Sequence, residues 1–155
     1  MKKILEKQAV FNATLIFFTF FAKRPFFTRL TQWFTTLTAS LNLKLNKTKA
    51  SKDIEELAQT WQALMPPDGQ EHFKINEIKG NTAFAQIHLH CPLRGTGNVK
   101  ACYKLKNYDR KLMDKVGGEL IVLESQSNSG KHFCQLAIRP KGADTSDLIP
   151  AHLRT

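Results

Sequence analysis

The sequence predicts an α+β domain: an antiparallel sheet packed by helices and preceded by an N-terminal pair of apolar, basic helices. Three observations carry that expectation. Apolar residues recur every three or four positions up to Met65 and again over Tyr108–Val116, the period of a one-sided helix. From Glu71 to Cys91, and again from Leu120 to Arg139, the period falls to two, as in a half-buried strand. Turn residues at Lys79-Gly80-Asn81 and Asn128-Ser129-Gly130 cut the alternating runs into hairpins.

The elements follow in order. Residues 1–43 read as a Phe-rich basic helical arm, broken near Pro25, and Phe26, Phe27, Leu30, Phe34, Leu37 and Leu41 fall on one stripe of its second helix. Residues 44–52 are polar and weakly periodic, hence a linker. Asp53 with Glu56 suits a capping box ahead of a helix that aligns Ile54, Leu57, Ala58, Trp61 and Met65, and Pro66-Pro67-Asp68-Gly69 ends it. A first strand holds Phe73 and Ile75. The second runs through Cys91, with Ala83, Ala85, Ile87, Leu89 and Cys91 on one face and Phe84, Gln86, His88 and His90 on the other. A short helix then carries Cys102 and Tyr103, and Asn107 suits the N-cap of the next, which stops at Gly117-Gly118. In the last strand His132, Cys134, Leu136 and Ile138 share a face. Residues 53–140 thus read as one α+β domain, and 141–155 as a loosely held polar tail.

Charge is distributed unevenly. Residues 1–52 hold ten Lys/Arg against the single acidic Glu6, whereas the remainder holds 13 Lys/Arg against 12 Asp/Glu. A near-neutral folded region argues against a nucleic-acid surface, which carries its positive charge on the face that meets phosphate. The basic arm suits an anionic membrane surface, or packing of its apolar stripe on the domain or in a homodimer. The apolar run Ala13–Ala22 is set back behind Glu6, Lys7 and Gln8 and ends in Lys23-Arg24, so it does not read as a cleavable signal. It is also shorter than the roughly 20 residues of a membrane span. Three cysteines, an odd number, point to a reducing compartment and a cytoplasmic protein, peripheral on the inner membrane if the arm meets lipid.

Chemistry-bearing residues concentrate between His88 and Arg139. His88 and His90, with Cys102 and with His132 or Cys134, supply nitrogen and sulfur of the kind zinc or another divalent transition metal prefers, although the spacing matches no zinc signature. Cys102, beside Lys100 near a helix start, suits a nucleophile with His132 or His90 as base and Asp109 as orienter. Against that stands the plain reading of each cysteine as a small buried apolar residue. The loop Arg94-Gly95-Thr96-Gly97-Asn98 offers amides and a guanidinium to an anion, with Tyr103 close behind, but lacks the residues of a nucleotide-binding loop.

The order of these features resembles a known superfamily. A cysteine after a strand, a second leading into a helix, a Gly-rich stop, a hairpin with Gly130 in its turn and the strand Cys134-Gln135-Leu136-Ala137-Ile138 are similar to the group that joins the 4-vinyl-reductase small-molecule-binding domain with L-2-amino-thiazoline-4-carboxylic acid hydrolase-like proteins. The resemblance covers about the last two-fifths of the chain. It implies helices on an antiparallel sheet with a pocket for a small, often hydrophobic ligand, and it puts Cys102, Asp109, Gly130 and Cys134 on recurrent positions. The expected function is binding of a largely apolar small molecule with one anionic group. A Cys- or metal-dependent hydrolase of a carbon–nitrogen bond and a non-enzymatic membrane adaptor are the alternatives.

Overall fold

The computed structural model describes residues 13–66 and 69–154. The first twelve residues of the arm and Pro67-Asp68 of the expected helix stop lie outside them. Residues 13–22 form helix α1, a single 3-10 turn spans Pro25–Phe27, and helix α2 runs over Thr28–Leu45, two residues into the expected linker. Helices α3 (Ile54–Ala63) and α4 (Gly69–His72) precede strands β1 (Phe73–Lys79) and β2 (Thr82–Ile87). Helices α5 (Val99–Leu105) and α6 (Asn107–Val116) then lead into strands β3 (Gly118–Glu124) and β4 (Cys134–Pro140).

The strands form one antiparallel sheet in the order β1-β2-β4-β3. Alternation along the strands selects the face that meets the helices, although Ala137 is buried as well. Ala83, Ala85 and Ile87 of β2, Leu120 of β3, and Leu136 and Ile138 of β4 are buried against Leu57, Ala58 and Trp61 of α3 and Leu112, Met113 and Val116 of α6. Each fully buried Leu or Ile contributes roughly 1.5–3 kcal/mol of transfer free energy.

Local signals hold where side chains satisfy helix ends. Asp53 Oδ1 accepts from the Glu56 amide at 2.9 Å, and Asn98 Oδ1 accepts from the Ala101 amide at 2.9 Å. Gly117, at φ +93°, closes α6 in the left-handed conformation.

Several expectations are corrected. Strand β2 ends at Ile87, where its pairing with β4 stops opposite Cys134; the His88 amide still reaches the His72 carbonyl at 2.7 Å beside β1, but His88, His90 and Cys91 are not strand residues. His132 lies in a bend before β4 and is exposed, while Cys134 is buried in the core. Asn107 does not cap α6, since its side chain crosses to α2. The tail is docked: Arg139 makes a two-pronged contact with Asp147 at 2.6 and 2.7 Å, and Ala151 is buried.

The orientation of α2 sets aside one of the expected packings of its stripe, burial on the domain. Its buried residues are Thr31, Thr35 and Ala39, packed toward α6 and α5, while Phe26, Leu30, Trp33, Phe34, Leu37, Leu41 and Leu45 are exposed. The polar face tolerates burial because its hydroxyls fold back on the helix's own carbonyls: Thr31 Oγ1 donates to Phe27 O and Thr35 Oγ1 to Thr31 O, both at 2.9 Å. The stripe expected from periodicity exists, but it faces outward.

Candidate functional site

Between α1 and α2 on one side and the end of the sheet with α5 and α6 on the other lies a cavity of about 490 Å³. Its apolar walls come from Leu15 and Phe18 of α1, Phe73 and Ile87 at the paired ends of β1 and β2, Leu89 and Leu105. The arm is therefore one wall of the cavity.

Polar groups gather where α5 hands over to α6. Lys106, in the junction, and Asp109, one turn into α6, form an ion pair at 3.3 Å with both side chains largely buried. Trp61 Nε1 donates to the other Asp109 oxygen at 3.4 Å. Burial alone would lower the Lys106 pKa, but the facing Asp109 carboxylate more than offsets it, and the ammonium is held above its ordinary value. The Lys106 ammonium therefore stays charged inside the protein.

Next to it stands Tyr108, whose hydroxyl accepts from Asn42 Nδ2 at 2.6 Å; the same amide nitrogen donates to the Leu64 carbonyl at 2.9 Å. Among the described residues the Tyr108 hydroxyl accepts a hydrogen bond and donates none, which leaves its proton as a donor on the cavity wall.

All three cysteines line this cavity, gathered by the segment Ser125-Gln126-Ser127. Ser125 Oγ donates to Cys102 Sγ at 3.0 Å, the Gln126 amide donates to Cys134 Sγ at 3.5 Å, and Gln126 Oε1 accepts from the Cys91 amide at 3.3 Å. Gln126 Nε2 in turn donates to the Leu89 carbonyl at 2.9 Å. A fully buried glutamine with both ends used holds the hairpin loop against the chain leaving β2. Burial pushes the Cys102 thiol up to about 11, against the pull of the Ser125 hydroxyl, and burial likewise raises Cys134. Both are thiols, not thiolates, near neutral pH.

The sequence-expected site residues divide accordingly. Cys102, Cys134, Asp109 and His90 line the same cavity. His132 is exposed elsewhere, so the expected pairing of Cys102 with that imidazole is not assembled. His88 Nε2 is engaged by Gln86 Oε1 at 2.9 Å, and burial together with Lys74 and His72 lowers its pKa. Among the described residues no three His, Cys, Asp or Glu side chains converge to hold a metal ion, which corrects the grouping of His88, His90 and Cys134.

Nor is the glycine loop an anion cradle. The amides of Gly95 and Gly97 donate to the Gln126 and Ser127 carbonyls at 3.0 and 2.7 Å, and that of Thr96 to the Leu93 carbonyl. Positive φ at both glycines serves this docking. Arg94, half-buried, does not line the cavity. Tyr103 faces the other side of α5, where its ring stacks under the Arg110 guanidinium at 3.7 Å and beside His152 at 4.0 Å, lining a second cavity of about 210 Å³ under the tail.

Sequence reasoning missed Lys106, Tyr108, Asn42 and Gln126. The i,i+3 spacing of Lys106 and Asp109 was a legible sign, whereas nothing in Ser-Gln-Ser announces burial. Comparisons with protein-family models, with curated proteins and with solved structures find no match.

Proposed function

We propose that this chain is a small-molecule-binding domain whose ligand, largely apolar with one anionic or hydrogen-bond-accepting group, occupies the cavity between the arm and the sheet. The observation that carries the reading is the cavity itself. Its volume of about 490 Å³ falls in the range of sites for drug-sized ligands, roughly 300–1,000 Å³, and its apolar walls carry a small set of converging polar groups. Lys106 and Tyr108 are the donors for the polar end, in place of Arg94 and the loop amides. The Asp109 carboxylate holds the Lys106 ammonium in position, so an acceptor on the ligand meets a fixed charge rather than a flexible one. The N-terminal helices attach this domain to a larger surface. Neutral thiols and the distant His132 lend no support to hydrolysis.

Native mass spectrometry of the protein purified from its own cells tests the reading. The expected result is an added mass that denaturation releases, and that is absent from Leu89→Trp, a substitution that fills the cavity from a half-buried wall position. Circular dichroism of that variant checks its fold. A bare chain mass for the wild type, or an adduct that a folded Leu89→Trp retains, overturns the proposal.

A further inference from the structure

The outward face of the arm has a composition that selects its partner. Ile16, Phe17 and Phe20 of α1 are more than half exposed, and Phe26 of the 3-10 turn is followed on α2 by Leu30, Trp33, Phe34, Leu37, Leu41 and Leu45 at helical spacing on the surface. Aromatic contacts join α1 to α2 and to the turn between them, Phe18 with Phe34 at 6.4 Å and Phe21 with Phe27 at 5.2 Å between ring centroids. Their apolar faces are thus presented together. Residues 13–52 carry Lys23, Arg24, Arg29, Lys44, Lys47, Lys49 and Lys52, all exposed, and no acidic residue. No described helix is long and apolar enough to cross a membrane.

We propose that this face docks on an anionic lipid bilayer, lying in the interface with its phenylalanines and leucines among the upper acyl chains and its lysines and arginines at the headgroups. Two arguments choose lipid over a second copy of the chain. An isologous dimer through this face would bring two unopposed basic arms together, a like-charge contact that costs affinity. An anionic bilayer supplies the opposite charge to the same residues, each basic side chain near the surface adding to the attraction. An exposed tryptophan beside the apolar stripe, here Trp33, also suits the interfacial region.

Resting on the binding reading above, docking has a consequence for the cavity. Leu15 and Phe18 line it from the same helix whose opposite side carries Ile16, Phe17 and Phe20, so the docked element and the cavity wall are one piece.

Co-sedimentation of the full chain with vesicles tests the proposal, using phosphatidylcholine alone and phosphatidylcholine mixed with phosphatidylglycerol. The expected result is binding to the mixed vesicles that weakens with salt and is weaker on the neutral ones. Lys23→Gln with Arg24→Gln is expected to weaken binding on the order of tenfold or more. Phe17→Ser with Trp33→Ser, both at exposed positions, is expected to reduce binding to either vesicle. Leu89→Trp is expected to dock like the wild type, so a failed cavity reading leaves this result standing and a failed docking leaves the cavity test standing. Full-length protein that ignores anionic vesicles at low salt overturns the proposal, as does a lipid-free dimer that the Phe17→Ser, Trp33→Ser variant splits without any change in vesicle binding.

Discussion

Asn107 Nδ2 lies 2.8 Å from Thr35 Oγ1, joining the first turn of α6 to the buried face of α2 across 72 positions of sequence. The same nitrogen lies 3.3 Å from the Gln32 carbonyl oxygen and 3.4 Å from Thr36 Oγ1. This amide is the polar counterpart of an apolar lock, and it orients the arm. Asn107→Ala is expected to destabilise the protein by about 1–3 kcal/mol, the cost of leaving buried hydroxyl and carbonyl groups without their donor. Urea denaturation checks it, and an unchanged midpoint would show that packing alone holds α2 in place.

The buried ion pair predicts a non-additive pair of mutants. Lys106→Met leaves the Asp109 carboxylate without its partner and is expected to cost about 3–5 kcal/mol, whereas Lys106→Met combined with Asp109→Leu is expected to recover much of that loss. A double-mutant cycle by chemical denaturation measures the coupling. Strict additivity would mean that the two groups do not interact across the measured 3.3 Å.

Stability is expected to fall on the alkaline side. The Cys102 thiol titrates near 9.0 when free and is pushed up to about 11 by burial, so between those values the unfolded chain gives up a proton that the folded chain keeps. The folded state binds more protons there, and its stability decreases as pH rises, by about 3 kcal/mol across the window for this one group. Lys106 acts in the same direction: its stabilising charge is present below the ordinary lysine value and is lost as pH climbs through its raised one. Denaturation midpoints at neutral pH and through the alkaline range check this. Cys102→Ala is expected to flatten the first part of the decline.

Gly117 predicts the most damaging single methyl group. It sits at φ +93°, and a Cβ there would lie 2.4 Å from the Ser51 carbonyl oxygen, whose residue is itself tied to α6 by its amide donating to the Val116 carbonyl at 2.9 Å. Backbone rather than a flexible side chain blocks the space. Gly117→Ala is expected to cost more than the roughly 1–3 kcal/mol of an unfavourable φ alone. Gly130→Ala, at φ +71° with nothing within 4 Å, is expected to stay within that range. Equal thermal shifts for the two would argue against the Ser51 contact.

Much of this was legible before any coordinates. The Asp53 cap, the alternation along β2 and β4, the stop at Gly117 and the hairpins are local matters, each decided by a handful of neighbouring residues. The site was only half legible. Cys102, Cys134 and Asp109 do reach one cavity, but His132 and Arg94 belong to surfaces that local pattern cannot distinguish from it.

By itself, then, the sequence determined the α+β elements, the helical stripe of Phe26 to Leu41 and the excess of basic charge on the arm, because period and composition are properties of the chain alone. Only the tertiary structure decided which side of α2 is covered. A stripe specifies that one face is apolar, not that this face turns inward, and threonines that satisfy their own hydroxyls within the helix can be buried in its place. The tertiary structure likewise brought Lys106, Tyr108, Asn42 and the three cysteines round one cavity, since their approach depends on contacts between residues far apart in sequence.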